Sequence, residues 1–247
     1  MTLDLLDLSV QFDTSGGAVP AVDRASLTIK PGDRVALVGE SGCGKTVLAL
    51  AILGLLPRNA RIDGAAAFGG RNLLDAHTAR SLRGREIAMC WSNAERFFNP
   101  VARIGRQIGE AYVQHHPGEQ RQAREMTMSL LGDMGFMEPR RVYDSYPFQL
   151  SGGMNQRAMI AMSLINKPRL LLIDEPTRGL DDESRDSVLG CLLGIAGVSM
   201  LIITHDVGLV AQLAHRVYVM RAGKILDRGP CSDLFSMAEA EDGELDG

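Results

Sequence analysis

Cysteine is scarce and unpatterned in this chain: Cys43, Cys90, Cys191 and Cys231 form no C-x-x-C pair and no metal-ligand spacing. They read as reduced cytosolic thiols, and a disulfide framework is excluded. Long apolar runs are also missing, none approaching the ~20 residues that span a bilayer. The opening Met1-Thr2-Leu3-Asp4 carries an acid where a secretory signal carries lysine or arginine. Any membrane role is therefore expected through a partner. Nor is there a surplus of positive charge: 26 Lys+Arg against 30 Asp+Glu give a net charge of −4. That removes a global attraction to nucleic acid or anionic lipid, while leaving room for a local basic patch.

What is present is ordinary in bulk and specific in detail. With 247 residues, 45% hydrophobic and 23% charged, the chain can bury a full core as one large α/β domain with room for an inserted subdomain. Its organising stretch is Gly39-Glu40-Ser41-Gly42-Cys43-Gly44-Lys45-Thr46, which satisfies G-x-x-x-x-G-K-[ST]. The apolar run Val35–Val38 precedes it and the helix-like segment Val47–Leu53 follows, the strand-loop-helix setting of a phosphate loop. Glycines let the backbone turn its N–H groups around an anion, and the helix points its positive end at the same spot. Lys45 is expected to reach the β- and γ-phosphates, and the Thr46 hydroxyl to ligate Mg²⁺. Cys43, inside this loop, is either oxidation-sensitive or simply a small tolerated side chain.

Taken in order, residues 3–12 alternate loosely as a strand, Asp13–Gly17 reads as a turn, and Ala21–Ile29 as a second strand ended by Lys30-Pro31-Gly32-Asp33. Two antiparallel strands there suggest a β layer beside the nucleotide. Phe12 suits stacking on adenine, and it suits a core position equally. Beyond Pro57 come strands and turns through Gly70, then the apolar strand Glu86–Trp91. Residues 101–147 change to helical spacing, with Ile104, Ile108, Ala111 and Tyr112, then Met126, Leu130, Leu131 and Met134. The Pro117–Arg124 link reads as a solvated turn and helix start. Leu170–Ile173 and Met200–Ile203 are short continuous apolar runs, which predict a parallel sheet buried on both faces. Gly39, Asp174 and His205 follow the ends of such strands, where ligands gather. The terminal residues 238–247 read as an acidic disordered tail.

Asp174 and Glu175 close a hydrophobic strand, so their carboxylates stand at the sheet edge. One can hold Mg²⁺ through water and the other can polarise the water that attacks a γ-phosphate. Leu150-Ser151-Gly152-Gly153-Met154-Asn155-Gln156-Arg157 then supplies a helix start with a capping hydroxyl and glycine amides that favour an anion. This segment resembles the signature motif of ATP-binding cassette (ABC) ATPases.

The resemblance covers roughly residues 3–237. It implies an α/β P-loop NTPase fold of RecA-like type: a parallel sheet core, an N-terminal antiparallel β layer and a helical subdomain inserted over about 92–165. It implies that Gly39–Thr46 is the Walker A loop, Leu170–Glu175 the Walker B strand, Glu175 the catalytic carboxylate and His205 the γ-phosphate switch. Gly179-Leu180-Asp181 matches the D-loop at a dimer seam. Ser151, Gly152 and Gly153 would contact the γ-phosphate held by a second ATPase subunit, so ATP would be sandwiched between two subunits. Those subunits would sit on the cytoplasmic face of the membrane, attached through two transmembrane permeases and served by a solute-binding protein, with no nucleic acid involved.

More narrowly, Arg83-Gly84, Ile87-Ala88-Met89, Phe98-Asn99-Pro100-Val101, Tyr146-Pro147 and Met159–Met162 look like the peptide/nickel importer subfamily. That subfamily generally uses two different ATPases, which implies a heterodimer. Tyr146–Met154 is similar to the nickel and metal-chelate form, and the peptide-type C-terminal extension is missing after Phe235; metallophore cargo is favoured and peptide stays open. Ser92 occupies the place of the family's Q-loop glutamine, so ATP binding is expected intact with hydrolysis or coupling altered. Two further readings stand beside transport: a regulatory ATP-binding half with weak turnover, and a non-transport cassette ATPase.

Overall fold

The computed structural model describes residues 1–231, and the predicted acidic tail lies outside them. The chain divides into two compact units, Met1–Ser81 with the segment from Ser199 onward, and Leu82–Val198.

The first unit opens with β1 (Leu3–Thr14) and β2 (Gly17–Ile29), paired antiparallel from Leu3 opposite Ile29 to Thr14 opposite Gly17. The loose alternation has a physical cause: Leu3 and Leu5, then Leu8 and Val10, are buried, and the phase changes at a register shift where Asp7 takes φ 47°. The turn is tighter than the sequence suggested, only Ser15-Gly16. Thr14 Oγ1 accepts from the Gly16 N–H at 3.2 Å and donates to the Gly17 carbonyl at 2.7 Å, so the second strand starts at Gly17 rather than Ala21. β3 (Arg34–Val38) leads through the glycine-rich loop into α1 (Lys45–Ile52). β4 (Ala60–Phe68) and β5 (Arg71–Asn72) then complete a four-stranded antiparallel layer ordered β2-β1-β4-β5, followed by α2 (Ala76–Leu82).

The second unit holds β6 (Ile87–Cys90), α3 (Ile104–Val113), α4 (Gln120–Asp133), α5 (Pro139–Asp144), α6 (Gly152–Leu164), β7 (Leu170–Asp174) and α7 (Asp182–Gly194). β6 and β7 run parallel, Ile87 opposite Leu170 through Cys90 opposite Ile173, and every residue of β7 is buried. The buried stripe of α4 is Ala123, Thr127 and Leu131, with Met134 beyond the helix end; Met126 and Leu130 flank it half-buried. Thr127 can lie inside because its hydroxyl donates to the Ala123 carbonyl at 2.7 Å. A Cβ on Gly109 of α3 would come within 3.8 Å of Ala123 Cβ. The two helices thus approach through small residues, which a search for large apolar side chains overlooks.

Back in the first unit, β8 (Ser199–Thr204), α8 (Val207–Leu213), β9 (Arg216–Arg221) and β10 (Lys224–Pro230) follow. β3 lies between β8 and β9 and parallel to both, with β10 antiparallel on β9. Parallel strands must be covered on both faces. Accordingly Val35, Ala36, Leu37 and all of β8 are buried, with Val210 and Ala214 packed on Ala36 and Val217. Val38 pairs with Thr204, so Gly39 and His205 emerge at one sheet edge. In the second unit Cys90 pairs with Ile173, which brings Ser92 and the Asp174-Glu175 pair out at one edge in the same way.

Candidate functional site

The glycine-rich loop of the first unit is shaped by backbone collisions that a side chain would cause. A Cβ on Gly39 would lie 2.1 Å from the Met220 carbonyl oxygen, and one on Gly44 2.3 Å from that of Ala21. Gly44 also takes φ 110°, which favours glycine, whereas Gly42 at φ 83° has open space around it. The β9-β10 turn supports the loop, since the Gly223 N–H donates to the Cys43 carbonyl at 2.9 Å and the Asp23 N–H to the Gly223 carbonyl at 2.8 Å. Glu40, Ser41 and Thr46 are exposed, and Cys43 is buried.

Lys45 opens α1 at only 6% exposure. Its ammonium folds back onto the Gly39 carbonyl at 2.6 Å and the Glu40 carbonyl at 2.8 Å, with Cys43 Sγ at 3.7 Å. A buried ammonium bonded to two backbone carbonyls, at a helix N-terminus, is a site electrostatically prepared for an anion. His205 follows β8 as an exposed residue, just before Asp206, whose carboxylate caps α8 by accepting the Leu209 N–H at 3.0 Å. Phe12 lies half-buried in β1 opposite Val19 and Ala60.

In the second unit, Asp174 ends β7 at 7% exposure and Glu175 follows half-buried. Glu175 takes φ 45°, a left-handed conformation that costs a non-glycine residue about 1–3 kcal/mol and clusters at functional sites. Beside them, burial pushes the Cys90 thiol up to about 12; the Gln156 amide opposes the shift and the Asp174 charge adds to it. Ser92 is half-buried, one residue before Asn93 at φ 53°.

Ser151 caps α6, its Oγ accepting the Met154 N–H at 3.2 Å. The Gly152 and Gly153 N–H groups belong to the first turn, which has no intrahelical acceptors. Asp181 caps α7: Ser184 N–H donates to its Oδ1 at 2.8 Å and Ser184 Oγ to its Oδ2 at 3.0 Å, and these bonds hold its carboxyl below the usual range. Each unit therefore gathers part of the expected set. Gly39–Thr46, Phe12 and His205 lie in the first, and Ser92, Ser151–Gly153, Asp174, Glu175 and Asp181 in the second.

Sequence reasoning missed Gln156 and Ser184. Gln156 stands within the quoted 150–157 motif, but only its neighbours' spacing was informative. Ser184 had no local signal beyond following Asp181 at the N3 position.

A family profile described as ABC transporter matches residues 22–178. Over 241 residues the chain is 43% identical to the peptidoglycan transport ATP-binding protein YejF of Agrobacterium fabrum, covering 95% of this chain and 44% of that protein. It is 40% identical over 240 residues to the dipeptide transport ATP-binding protein DppD of Bacillus subtilis, covering 94% of this chain and 72% of that protein. The chain thus spans less than half the length of the first relative. Among solved structures, the ATP-binding cassette MJ0796, as a dimer bound to ADP and Pi, superimposes with a TM-score of 0.82 at 21% identity, over 93% of this chain and 98% of that one. The α/β fold expected from the sequence is the fold shared with that cassette.

Proposed function

The chain belongs to the ABC transporter family of ATPases, and from that premise we propose that it is the ATP-hydrolysing subunit of an importer for small peptides. The observation that carries this reading is Lys45: a buried ammonium at a helix start, with two carbonyls as partners, awaits the phosphates of ATP. Backbone N–H groups of Glu40, Ser41, Gly42, Cys43 and Gly44 wrap the same phosphates, and Phe12 stacks on the adenine. The Thr46 hydroxyl and the Asp174 carboxylate are hard oxygen donors of the kind Mg²⁺ takes, and the ion, when bound with ATP, neutralises phosphate charge.

Glu175 accepts a proton from the attacking water as the new O–P bond forms and the bond to the β-phosphate oxygen breaks, releasing ADP and phosphate. His205 donates a hydrogen bond to the γ-phosphate. Ser151, Gly152 and Gly153 close on the γ-phosphate of a second ATPase subunit, with Asp181 at the seam. That subunit is a different chain in our reading, and two permeases hold the pair on the cytoplasmic face of the membrane beneath a solute-binding protein. Among the described residues no helix is long and apolar enough to cross a membrane. One ATPase domain spans 1–237, with 92–165 as its helical insertion.

Peptide cargo is supported by the similarity to the dipeptide transport protein, while the other relative is named for peptidoglycan transport. Metal-chelate cargo rests on the Tyr146–Met154 resemblance alone. A second reading, a regulatory half with weak turnover, is favoured by Ser92 in place of glutamine. Uptake of labelled dipeptides and of nickel chelates into vesicles carrying the assembled transporter, with and without Glu175→Gln, separates them. Dipeptide uptake abolished by Glu175→Gln is the expected result. Uptake that survives the substitution favours the regulatory half, and chelate uptake overturns the peptide assignment.

A further inference from the structure

Asn155 and Gln156 are neighbours on α6, exposed by only 1% and 2%, and each gives its side-chain amide to a different loop. Asn155 Nδ2 donates to the carbonyls of Pro147 at 2.9 Å and of Leu150 and Ser151 at 3.3 Å. Gln156 Nε2 donates to the Trp91 carbonyl at 2.9 Å and to Cys90 Sγ at 3.4 Å, while its Oε1 accepts the Ala94 N–H at 3.4 Å. Gln156 therefore brackets Ser92-Asn93, holding the residue before and the residue after. The bracketed segment includes the left-handed Asn93, so its shape depends on outside support.

The two gripped loops share a property. Trp91 stacks on Phe97 at 5.1 Å, and Tyr146 on Phe148 at 5.6 Å, with Phe97 and Phe148 exposed. Two adjacent buried amides are an expensive way to pack a helix, since each polar atom needs a partner. Asn155 Oδ1 is buried with none among the described residues. Apolar side chains would fill the same space with no such cost, so these amides specify geometry rather than add stability.

We infer that Asn155 and Gln156 are positioning residues that fasten both aromatic loops to the start of the Ser151 helix, and that Gln156 carries a displacement of that start into the Ser92 segment. This rests on the reading of Ser151 as a nucleotide contact. Gln156 stands five residues, about 7.5 Å of helix, from Ser151, a distance over which a helix moves as one body. Ser92 then follows nucleotide binding through Gln156 without a glutamine-length side chain of its own.

Amide hydrogen exchange on the full chain, purified with its partner subunits in a Glu175→Gln background, tests this with and without ATP and Mg²⁺. The expected wild-type result is slower exchange in both 151–157 and 92–97 on adding ATP, about fivefold or more, with Ala94 as the direct reporter. In Gln156→Met, which keeps the side chain's length without its amide, 151–157 should still respond while the response of 92–97 falls below about twofold. Gln156→Leu, which also loses both the acceptor for Ala94 and the donor to Trp91, is read in the same way should the methionine variant fold poorly. A 92–97 segment that ignores ATP in the wild type, or a Gln156→Met chain with faster exchange but an unchanged ATP ratio, overturns the inference. Absence of any ATP response in both 39–46 and 151–157 is a different failure: it removes the nucleotide reading and the inference with it.

Discussion

Gly153 and Ser184 touch so closely that no side chain fits between them: a Cβ on Gly153 would lie 2.6 Å from both Cβ and Oγ of Ser184. The same serine donates both bonds by which Asp181 caps α7. The glycine that follows the Ser151 cap and the aspartate proposed at the subunit seam therefore meet at one residue, and disturbing either contact disturbs the other.

Gly153→Ala should push Ser184 off Asp181 and destabilise the fold by about 1–2 kcal/mol through lost capping and overpacking. Adding Ser184→Gly should recover the overpacking part, while ATPase activity stays low because the Asp181 cap is still weakened. Chemical denaturation of the two single variants and the double variant checks this, and additive losses would refute it.

Lys45→Met should remove ATP binding and yet leave the nucleotide-free protein as stable or up to about 1 kcal/mol more so, because a buried ammonium bonded to two carbonyls is replaced by an apolar chain of similar length. Thermal melts should show the wild type gaining about 2.7 kcal/mol at ATP a hundredfold above its dissociation constant, and the variant gaining nothing.

Within the phosphate loop, Gly44→Ala and Gly42→Ala should differ. The first meets the Ala21 carbonyl at 2.3 Å, so we expect a loss of 3 kcal/mol or more, on the order of the larger strain effects. The second meets nothing within 4 Å and should show only the conformational cost of a positive φ, about 1 kcal/mol. Urea midpoints of the two variants give the comparison.

The Cys90 thiol sets an alkaline limit. Below its ordinary value of 9.0 it is protonated in folded and unfolded chains alike; between there and about 12 only the unfolded chain ionises. The folded state then binds more protons, and stability falls with rising pH at up to about 1.4 kcal/mol per unit. The stability difference between wild type and Cys90→Ala should be flat below pH 9.0 and decline above it. A flat difference throughout would show that the thiol is not held neutral.

Ser92→Gln places a longer amide at the position we propose for the family's glutamine and should raise steady-state ATPase of the assembled transporter several-fold, on the order of one hydrogen bond's contribution to the barrier. Unchanged hydrolysis and unchanged uptake together would mean that Ser92 is a neutral replacement.

The sequence by itself determined what depends on neighbouring residues. The phosphate loop declared itself by glycines and Lys45 between a strand and a helix, the Ser151 cap by a serine before two glycines, and the buried strands β7 and β8 by unbroken apolar runs. Helical spacing found α3 and α4 and, in Leu131 and Met134, part of the buried side, but it passed over Ala123 and Thr127, because Thr127 enters the core only after bonding its own helix and because Gly109 admits a close neighbour. Only the tertiary structure decided the contacts between distant parts of the chain. The carbonyls of Ala21 and Met220 that forbid side chains at Gly44 and Gly39 leave no trace in any local pattern, and neither does the grip of Gln156 on Trp91, 65 residues away. Periodicity records which face of an element is buried. It carries no record of which far backbone atom a buried amide will meet, since that is set when the elements pack.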